Sequence, residues 1–271
     1  MSDALDAVGE WPVDTAAAAI VDRTGVIATY GPADQQFAIA SLTKPLAALA
    51  ILVAVEEEAV SLNDPADERL IPGATLRHLL SHASGYAPDR PMKAAAPATR
   101  RIYSNVGIER AAALVAEATD IEFPDYLAEA VLGPLQMADT ELPGSAARDG
   151  ISTTADLARM VHELLAPTGL LAAATLADLS SVQFPGLRGV LPGFGAQDPN
   201  DWGLGFEIRA HKSPHWTGAR NSPRTYGHFG QRGTMLWIDP DAQLGLVALT
   251  DRDFGPWAAE VWPALADAVL S

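Results

Sequence analysis

The sequence contains no cysteine, which excludes disulfide bonds, thiolate zinc sites and cysteine nucleophiles. Basic residues are also scarce, since 18 lysines and arginines stand against 34 acidic residues and give a net charge of -16. That balance argues against nucleic acid and anionic membrane surfaces as partners, because both require a positive patch. The longest apolar run, residues 46–55, is too short to span a bilayer. The first residues show neither the basic nor the apolar segment of a secretory signal, so we expect a cytoplasmic location.

The chain does contain enough apolar residues to build a large core. Hydrophobic residues make up 48% and charged residues 19% of the 271, which is typical of a globular protein with one large domain or two lobes. The residue pattern predicts strands at 15–31, joined by an Asp-Arg-Thr-Gly turn, and strands again at 202–210 and 225–251. A turn is expected at Pro240 and Asp241.

Helical patterns occupy the middle and the end of the chain. A capping-box pattern at Thr153 and Asp156 precedes an amphipathic run. We expect Gly85 to end one helix and Pro263 to interrupt the last one, whereas 183–200 should be loop. Further helices are expected after Ser41, ending in the acidic run 56–58, and at 75–85, 104–120, 126–132, 170–181 and 257–271.

This order of elements predicts an α+β fold with two lobes. Strands from the two ends of the chain would form one antiparallel sheet flanked by helices, and the middle would form a helical lobe. The predicted division is a single domain, 1–271, with a sheet lobe at about 1–62 and 200–271 and a helical lobe at about 63–199. A site between these lobes would take residues from both.

Ser41 and Lys44 lie at the start of the most apolar predicted helix. A spacing of three residues places both side chains on one helix face. The free N–H groups at a helix start favour a developing negative charge on Ser41. A serine hydroxyl needs a base before it can attack, and lysine is that base only when apolar surroundings lower its pKa. The pair therefore suits a nucleophile and its base.

The same pair has an ordinary interpretation, in which Ser41 caps the helix and Lys44 is solvated in its first turn. A chain with three lysines and thirteen serines has about 0.15 chance matches to Ser-x-x-Lys, so the motif is only suggestive. Two further motifs follow in order, Tyr103-Ser-Asn105 and His228-Phe-Gly230. Their order and spacing carry more weight than any one match.

With these three motifs, the chain resembles the serine β-lactamase and penicillin-binding-protein-like hydrolases. It is most similar to the branch that holds class C β-lactamases, D-alanyl-D-alanine carboxypeptidases and related esterases. The segments "SLTKP", "TLRHLLSHASG", "WGLGFEI" and "GHFGQRGTMLWIDP" extend the resemblance over nearly the whole chain. It implies the fold of that family and an acyl-enzyme mechanism.

The resemblance also implies a role for each motif residue. Ser41 would be the acylated nucleophile, and Lys44 and Tyr103 would share the proton transfers. Asn105 would bind the substrate and Lys44, and His228 would line the opposite strand edge. The backbone N–H groups of Ser41 and Gln231, the latter directly after Gly230, would form the oxyanion hole.

The third motif departs from the usual pattern of this family. His228 and Phe229 stand where a lysine and a hydroxyl residue usually bind a substrate carboxylate. This predicts weak binding of penicillins and D-alanyl peptides, and it favours small neutral esters. Arg232, or Arg220 and Arg224, would be alternative sources of a positive charge.

His78, His82 and His162 are interpreted as structural. His211 and His215 lie in a polar loop without a ligand spacing, so neither a metal nor a cofactor is predicted. Three functions stay open: a serine hydrolase of small esters, a β-lactamase or D-amino-acid peptidase, and a non-catalytic binding protein on the same scaffold. The expected partner is a small-molecule ester or amide, and the oligomeric state is left open.

Overall fold

A six-stranded antiparallel sheet forms the centre of the part of the chain, residues 2–271, that the computed structural model describes. Its strand order is β2-β1-β10-β9-β8-β7, so strands from the two ends of the chain pair side by side. Short pairs β3-β4 and β5-β6 lie outside it. The strands are β1 (Ala16–Asp22), β2 (Gly25–Tyr30), β3 (Phe37–Ala38), β4 (Ile151–Ser152), β5 (Gly189–Leu191), β6 (Gly195–Gln197), β7 (Glu207–Ile208), β8 (Tyr226–Gly230), β9 (Thr234–Asp239) and β10 (Leu244–Thr250).

Helices cover both faces of this sheet. The α-helices are α1 (Thr43–Glu56), α2 (Leu76–Leu80), α3 (Asn105–Thr119), α4 (Phe123–Leu127), α5 (Thr154–Leu165), α6 (Ala173–Leu179) and α7 (Pro256–Val269). Two 3-10 helices, Ser2–Glu10 and Ala40–Leu42, and a π-helical turn, Ala128–Leu132, complete the set in the described residues. The described helices include none long and apolar enough to cross a membrane.

Strand β1 shows why the sheet carries a core on each face. Successive side chains of a strand point to opposite faces, and nearly every residue of β1 is buried. Ala17 and Ala19 contribute to the cluster that contains α1 to α5. Ala18 and Ile20 contribute to the cluster of the N-terminal 3-10 helix and α7. Helix α1 is buried almost all round, which is the position expected of a helix without a polar face.

The structure confirms the α+β class, the antiparallel sheet and the turns at 22–25 and 240–243. It corrects several local predictions. Helix α2 ends at Leu80 rather than at Gly85, because His82 already has a positive φ of 56°. The predicted loop 183–200 contains the hairpin β5-β6.

Helix α7 continues through Pro263, contrary to the predicted interruption. Trp262, Leu265 and Ala266 are buried against the sheet on the same helix, and this packing outweighs the loss of one backbone hydrogen bond. The division into two lobes stays a prediction. Helix α5, from the middle of the chain, packs directly on β1 and β10.

Candidate active site

Ser41 lies in the 3-10 turn Ala40–Leu42, which leads directly into α1. Ala40 has a φ of 47°, an unfavourable value for a residue other than glycine, so the turn must be held by its surroundings. Thr234 Oγ1 donates to Ile39 O at 2.9 Å, and Thr43 Oγ1 donates to Ala40 O at 2.6 Å. These contacts fix the position of the serine.

Lys44 is completely buried, and its amine contacts three oxygens. Nζ lies 3.0 Å from Ser41 Oγ, 2.7 Å from Asn105 Oδ1 and 2.7 Å from Ala147 O. Burial lowers the pKa of Lys44 to about 7, although the charges of Asp89 and Glu109 oppose this effect. A substantial fraction of the amine is therefore neutral near pH 7.

Tyr103 is the second side chain in contact with the serine hydroxyl. Its hydroxyl donates to Ser41 Oγ at 2.7 Å, and Lys44 Nζ lies 4.6 Å from the centre of its ring. Burial raises the pKa of Tyr103, and the hydrogen bond to Ser41 offsets only part of that rise. The phenol is therefore protonated at neutral pH and can donate a proton.

Asn105 is the first residue of α3 and reaches Lys44 from the second motif. The cap of this helix is Ser104, whose hydroxyl accepts from Gly107 N at 3.1 Å. Asn105 Nδ2 donates to Asp89 Oδ1 at 2.7 Å. This contact directs the amide oxygen to Lys44, and sequence reasoning did not identify Asp89.

Gly230 ends β8 where the strand passes the serine turn. A Cβ atom at this position would lie 2.5 Å from Ile39 O and 2.4 Å from Thr234 Oγ1, so only glycine fits. Gln231 follows it at an exposed position. His228, two residues earlier, is buried, and its Nδ1 lies 2.7 Å from Phe229 O.

A small cavity of about 70 Å³ lies against Ser41. Four of its lining residues, Ser41, Tyr103, His228 and Gln231, were predicted site residues. The others are Leu191, Pro192, Trp202, Glu207 and Phe229. Most of these extra residues are apolar. Phe229 belongs to the third motif, whereas the other four come from the hairpin β5-β6 and the segment leading into β7, which no local motif marks.

None of the three arginines considered as alternative cations lines this cavity. Arg232 pairs with Asp253 at 3.0 Å, and Arg224 pairs with Asp241 at 2.8 Å, all on the surface. Arg220 is also exposed. The cavity therefore lacks the positive charge that would bind a carboxylate.

A buried charged cluster supports the cavity from behind. Glu207 contacts Lys212 Nζ, accepts from Trp216 Nε1 at 3.0 Å, and lies 2.9 Å from His215 Nε2. Burial opposes its charge, but His215 and Lys212 outweigh that effect and lower the pKa of Glu207 to about 2. Glu207 is thus ionised and satisfied within the cluster.

The other histidines make contacts within the fold. His82 packs on the rings of Tyr103 and Trp202 at 4.7 and 4.6 Å and accepts from Ser104 N at 3.2 Å. His78 accepts from Thr75 N at 3.1 Å at the start of α2. His162 Nε2 lies 3.3 Å from Arg23 O. Residues 2–271 contain no group of three or more histidine, aspartate and glutamate side chains placed to hold a metal ion.

The model of the β-lactamase family matches residues 13–270, which is nearly the whole chain. This chain belongs to the β-lactamase family. The fold agrees with the resemblance seen in the sequence.

Solved structures of other proteins share this fold. A structure described as a β-lactamase from Mycobacterium bovis is 54% identical, covers 98% of each chain and has a TM-score of 0.96. EstCE1, described as a hydrolase with promiscuous acyltransferase activity, is 18% identical over 99% of this chain and 96% of its own, with a TM-score of 0.80. A D-stereospecific amidohydrolase from Streptomyces sp. is 19% identical over 96% and 97%, with a TM-score of 0.71. The curated proteins include no match to this sequence.

Proposed function

We propose that this member of the β-lactamase family is a serine hydrolase that forms an acyl-enzyme on Ser41 with small carboxylic esters. One observation carries the proposal. Ser41 Oγ lies within hydrogen-bond distance of both Lys44 Nζ and Tyr103 Oη, beside a small and mostly apolar cavity. A nucleophile in contact with its base and a proton donor is the arrangement that acyl transfer requires.

In the proposed mechanism, Lys44 is the base for acylation. A neutral amine has two N–H bonds and one lone pair. Asn105 Oδ1 and Ala147 O accept the two N–H bonds, so the lone pair faces the hydroxyl of Ser41. Lys44 takes the serine proton as Oγ attacks the ester carbonyl, and the negative charge passes to the carbonyl oxygen.

The backbone N–H groups of Ser41 and Gln231 are proposed to stabilise that oxyanion. When the tetrahedral intermediate collapses, Tyr103 donates its proton to the leaving alkoxide and recovers one from Lys44. Water then attacks the acyl-enzyme, with the same two groups removing its proton and returning one to Ser41. The proton of Ser41 thus ends on the product alcohol, and water supplies both the hydroxyl group of the product acid and the proton that restores Ser41.

The cavity supports small neutral substrates. Its volume of about 70 Å³ suits a short acyl chain, and its lining includes neither lysine nor arginine. A penicillin or a peptide with a free carboxylate would lose the ion pair that lysine usually provides at position 228.

Hydrolysis of β-lactams is the second candidate. It is favoured by the likeness to the Mycobacterium bovis protein, which is 54% identical and is described as a β-lactamase. Steady turnover of nitrocefin that depends on Ser41 would support this candidate over the esterase.

The decisive experiment combines kinetics with intact-protein mass spectrometry. We expect a burst of p-nitrophenol from p-nitrophenyl acetate and butyrate, together with a mass increase of one acyl group. Ser41→Ala should abolish both, whereas Ser61→Ala, at an exposed serine, should change neither. If a fluorophosphonate probe leaves the protein unlabelled and no burst occurs, the protein is a non-catalytic binding protein and the proposal fails.

A further inference from the structure

His228 has an unusual hydrogen-bonding state. Its Nδ1 lies 2.7 Å from the backbone oxygen of Phe229, and a carbonyl oxygen can only accept. Nδ1 must therefore carry the proton of the neutral ring. The other nitrogen, Nε2, then presents a lone pair and can only accept a hydrogen bond.

That lone pair has no hydrogen-bond partner among the described residues, although Nε2 is buried. A buried acceptor without a donor is costly, and proteins rarely retain one without a reason. Burial also lowers the pKa of His228 to about 3, so the ring does not gain a second proton near neutral pH. A ligand that brings a donor would remove this cost.

The position of His228 makes such a ligand the substrate. The histidine lines the same cavity as Ser41, and its ring lies 5.8 Å from that of Tyr103 and 5.5 Å from that of Trp202. The other buried ionisable groups nearby are already engaged. Lys44 contacts three oxygens, and Glu207 is held by its own cluster.

We propose that His228 determines specificity by accepting a hydrogen bond, through Nε2, from a hydroxyl or N–H group of the substrate. The preferred substrate class is then a small ester or amide that carries a neutral hydrogen-bond donor close to the scissile bond, rather than a carboxylate. This inference rests on the proposed function and adds the chemistry that the site selects.

The test uses pairs of esters that differ by a donor but not in size. p-Nitrophenyl glycolate and propionate exchange a hydroxyl for a methyl group on the acyl side. 2-Hydroxyethyl acetate and propyl acetate do so on the alcohol side. For each pair, kcat/KM of the donor-bearing ester is divided by kcat/KM of its methyl analogue. This ratio is then divided by the ratio of the two rate constants for hydroxide-catalysed hydrolysis, which removes the difference in intrinsic reactivity.

We expect the wild-type protein to prefer the donor-bearing ester by about tenfold or more in at least one pair. His228→Leu should lose this preference, because leucine has no acceptor. His228→Gln, which retains an acceptor oxygen at a similar distance along the side chain, should keep part of it. The preference is a ratio, so it can be measured even if a variant is slow.

Two results would overturn the inference. One is a wild-type preference below about threefold in both pairs, which needs no variant. The other is an equal preference in the wild type and His228→Leu. If p-nitrophenyl propionate still acylates Ser41 in the mass spectrum, only this inference fails, whereas absence of the acyl-enzyme with every ester means that the proposed function itself fails.

Discussion

At the scale of single residues, the protonation of Lys44 controls the proposed chemistry. Its pKa of about 7 lies below the ordinary lysine value of 10.5, and the neutral form is the active base. We therefore expect kcat/KM to rise as the pH increases through about 7 and then to level off. Asp89→Asn removes a negative charge that raises this pKa, so the rise should move to lower pH.

The measurement is kcat/KM for p-nitrophenyl acetate between pH 5.5 and pH 9. Asp125→Asn, an exposed carboxylate on α4, is the matched control and should leave the profile in place. Asp89→Asn should also lower the maximum rate, because Asp89 orients the amide of Asn105. If the pH profile of Asp89→Asn had the same midpoint as that of the wild type, the assignment of Lys44 as the titrating base would be contradicted.

Substitution of Gly230 tests whether the close approach of β8 to the serine turn positions Ser41. Gly230→Ala places a Cβ atom 2.5 Å from Ile39 O, so the turn that carries Ser41 must shift. We expect kcat/KM to fall by about 100-fold or more, and the free energy of unfolding to fall by about 1–3 kcal/mol. Kinetics and urea unfolding measure the two effects.

Gly255→Ala is its control, because a Cβ atom there meets only Trp257 Cδ1 at an ordinary 3.7 Å. If Gly230→Ala were as active as Gly255→Ala, the close packing of β8 on the serine turn would not position the nucleophile.

At the scale of elements, Thr153 shows a cap that the sequence predicted only in part. Its hydroxyl accepts from Asp156 N at 3.1 Å and caps α5 as expected. The carboxylate of Asp156 does not accept a hydrogen bond from the backbone N–H of Thr153, as a complete capping box would require. It accepts from Asp139 N at 2.9 Å and from Thr140 Oγ1 at 2.8 Å, so the second half of the predicted box is replaced by a tertiary contact.

Thr153→Ala should lower the free energy of unfolding by about 1 kcal/mol, because the N–H of Asp156 loses its acceptor in a buried place. Thr153→Ser keeps the hydroxyl and should retain most of the stability. Urea unfolding of both variants measures the difference. Equal destabilisation would mean that the threonine methyl group, rather than the cap, stabilises α5.

At the scale of the whole molecule, three buried carboxylates each hold a neighbouring loop or turn of the chain. Glu163 accepts hydrogen bonds from backbone N–H groups at 168–170, and Asp239 accepts from Ser222, Thr225 and the following turn. Burial by itself would raise the pKa of Glu163 and Asp239. The hydrogen bonds have the larger effect, so the pKa of each carboxylate is lowered. Glu207 behaves in the same way within its cluster.

Because each folded-state pKa lies below the unfolded value, these groups stabilise the fold above about pH 4.5, and the stabilisation is lost as the pH falls. For Glu207, whose pKa falls from 4.5 to about 2, the contribution is up to about 3 kcal/mol. We expect the free energy of unfolding in urea to decrease steadily from pH 5 to pH 3.

The double variant Glu207→Gln with Lys212→Met removes this acid without leaving a buried lysine unpaired. Its unfolding free energy should depend less steeply on pH over the same range. A wild-type stability that stays constant down to pH 3 would show that the carboxylates are not held in their charged form.

The sequence alone identified the motif residues that the structure brings together around Ser41 and Lys44. Ser41 and Lys44 share a helix start, and this local geometry follows from a spacing of three residues. Tyr103, Asn105 and His228 followed from the resemblance to the family that the three motifs carry, and the α+β class followed from strands at both ends of the chain. These features are local in the chain or are carried by a recurring pattern.

Only the tertiary structure decided what surrounds them. Leu191, Trp202 and Glu207 reach the cavity from separate segments, and Asp89 reaches Asn105 across a gap of 16 residues. Burial lowers the pKa of Lys44, and Nε2 of His228 is buried without a hydrogen-bond partner among residues 2–271. Both depend on all the elements that together exclude water from the site. Reactivity and selectivity in this site thus depend on packing between segments far apart in the chain, which no local pattern of residues encodes.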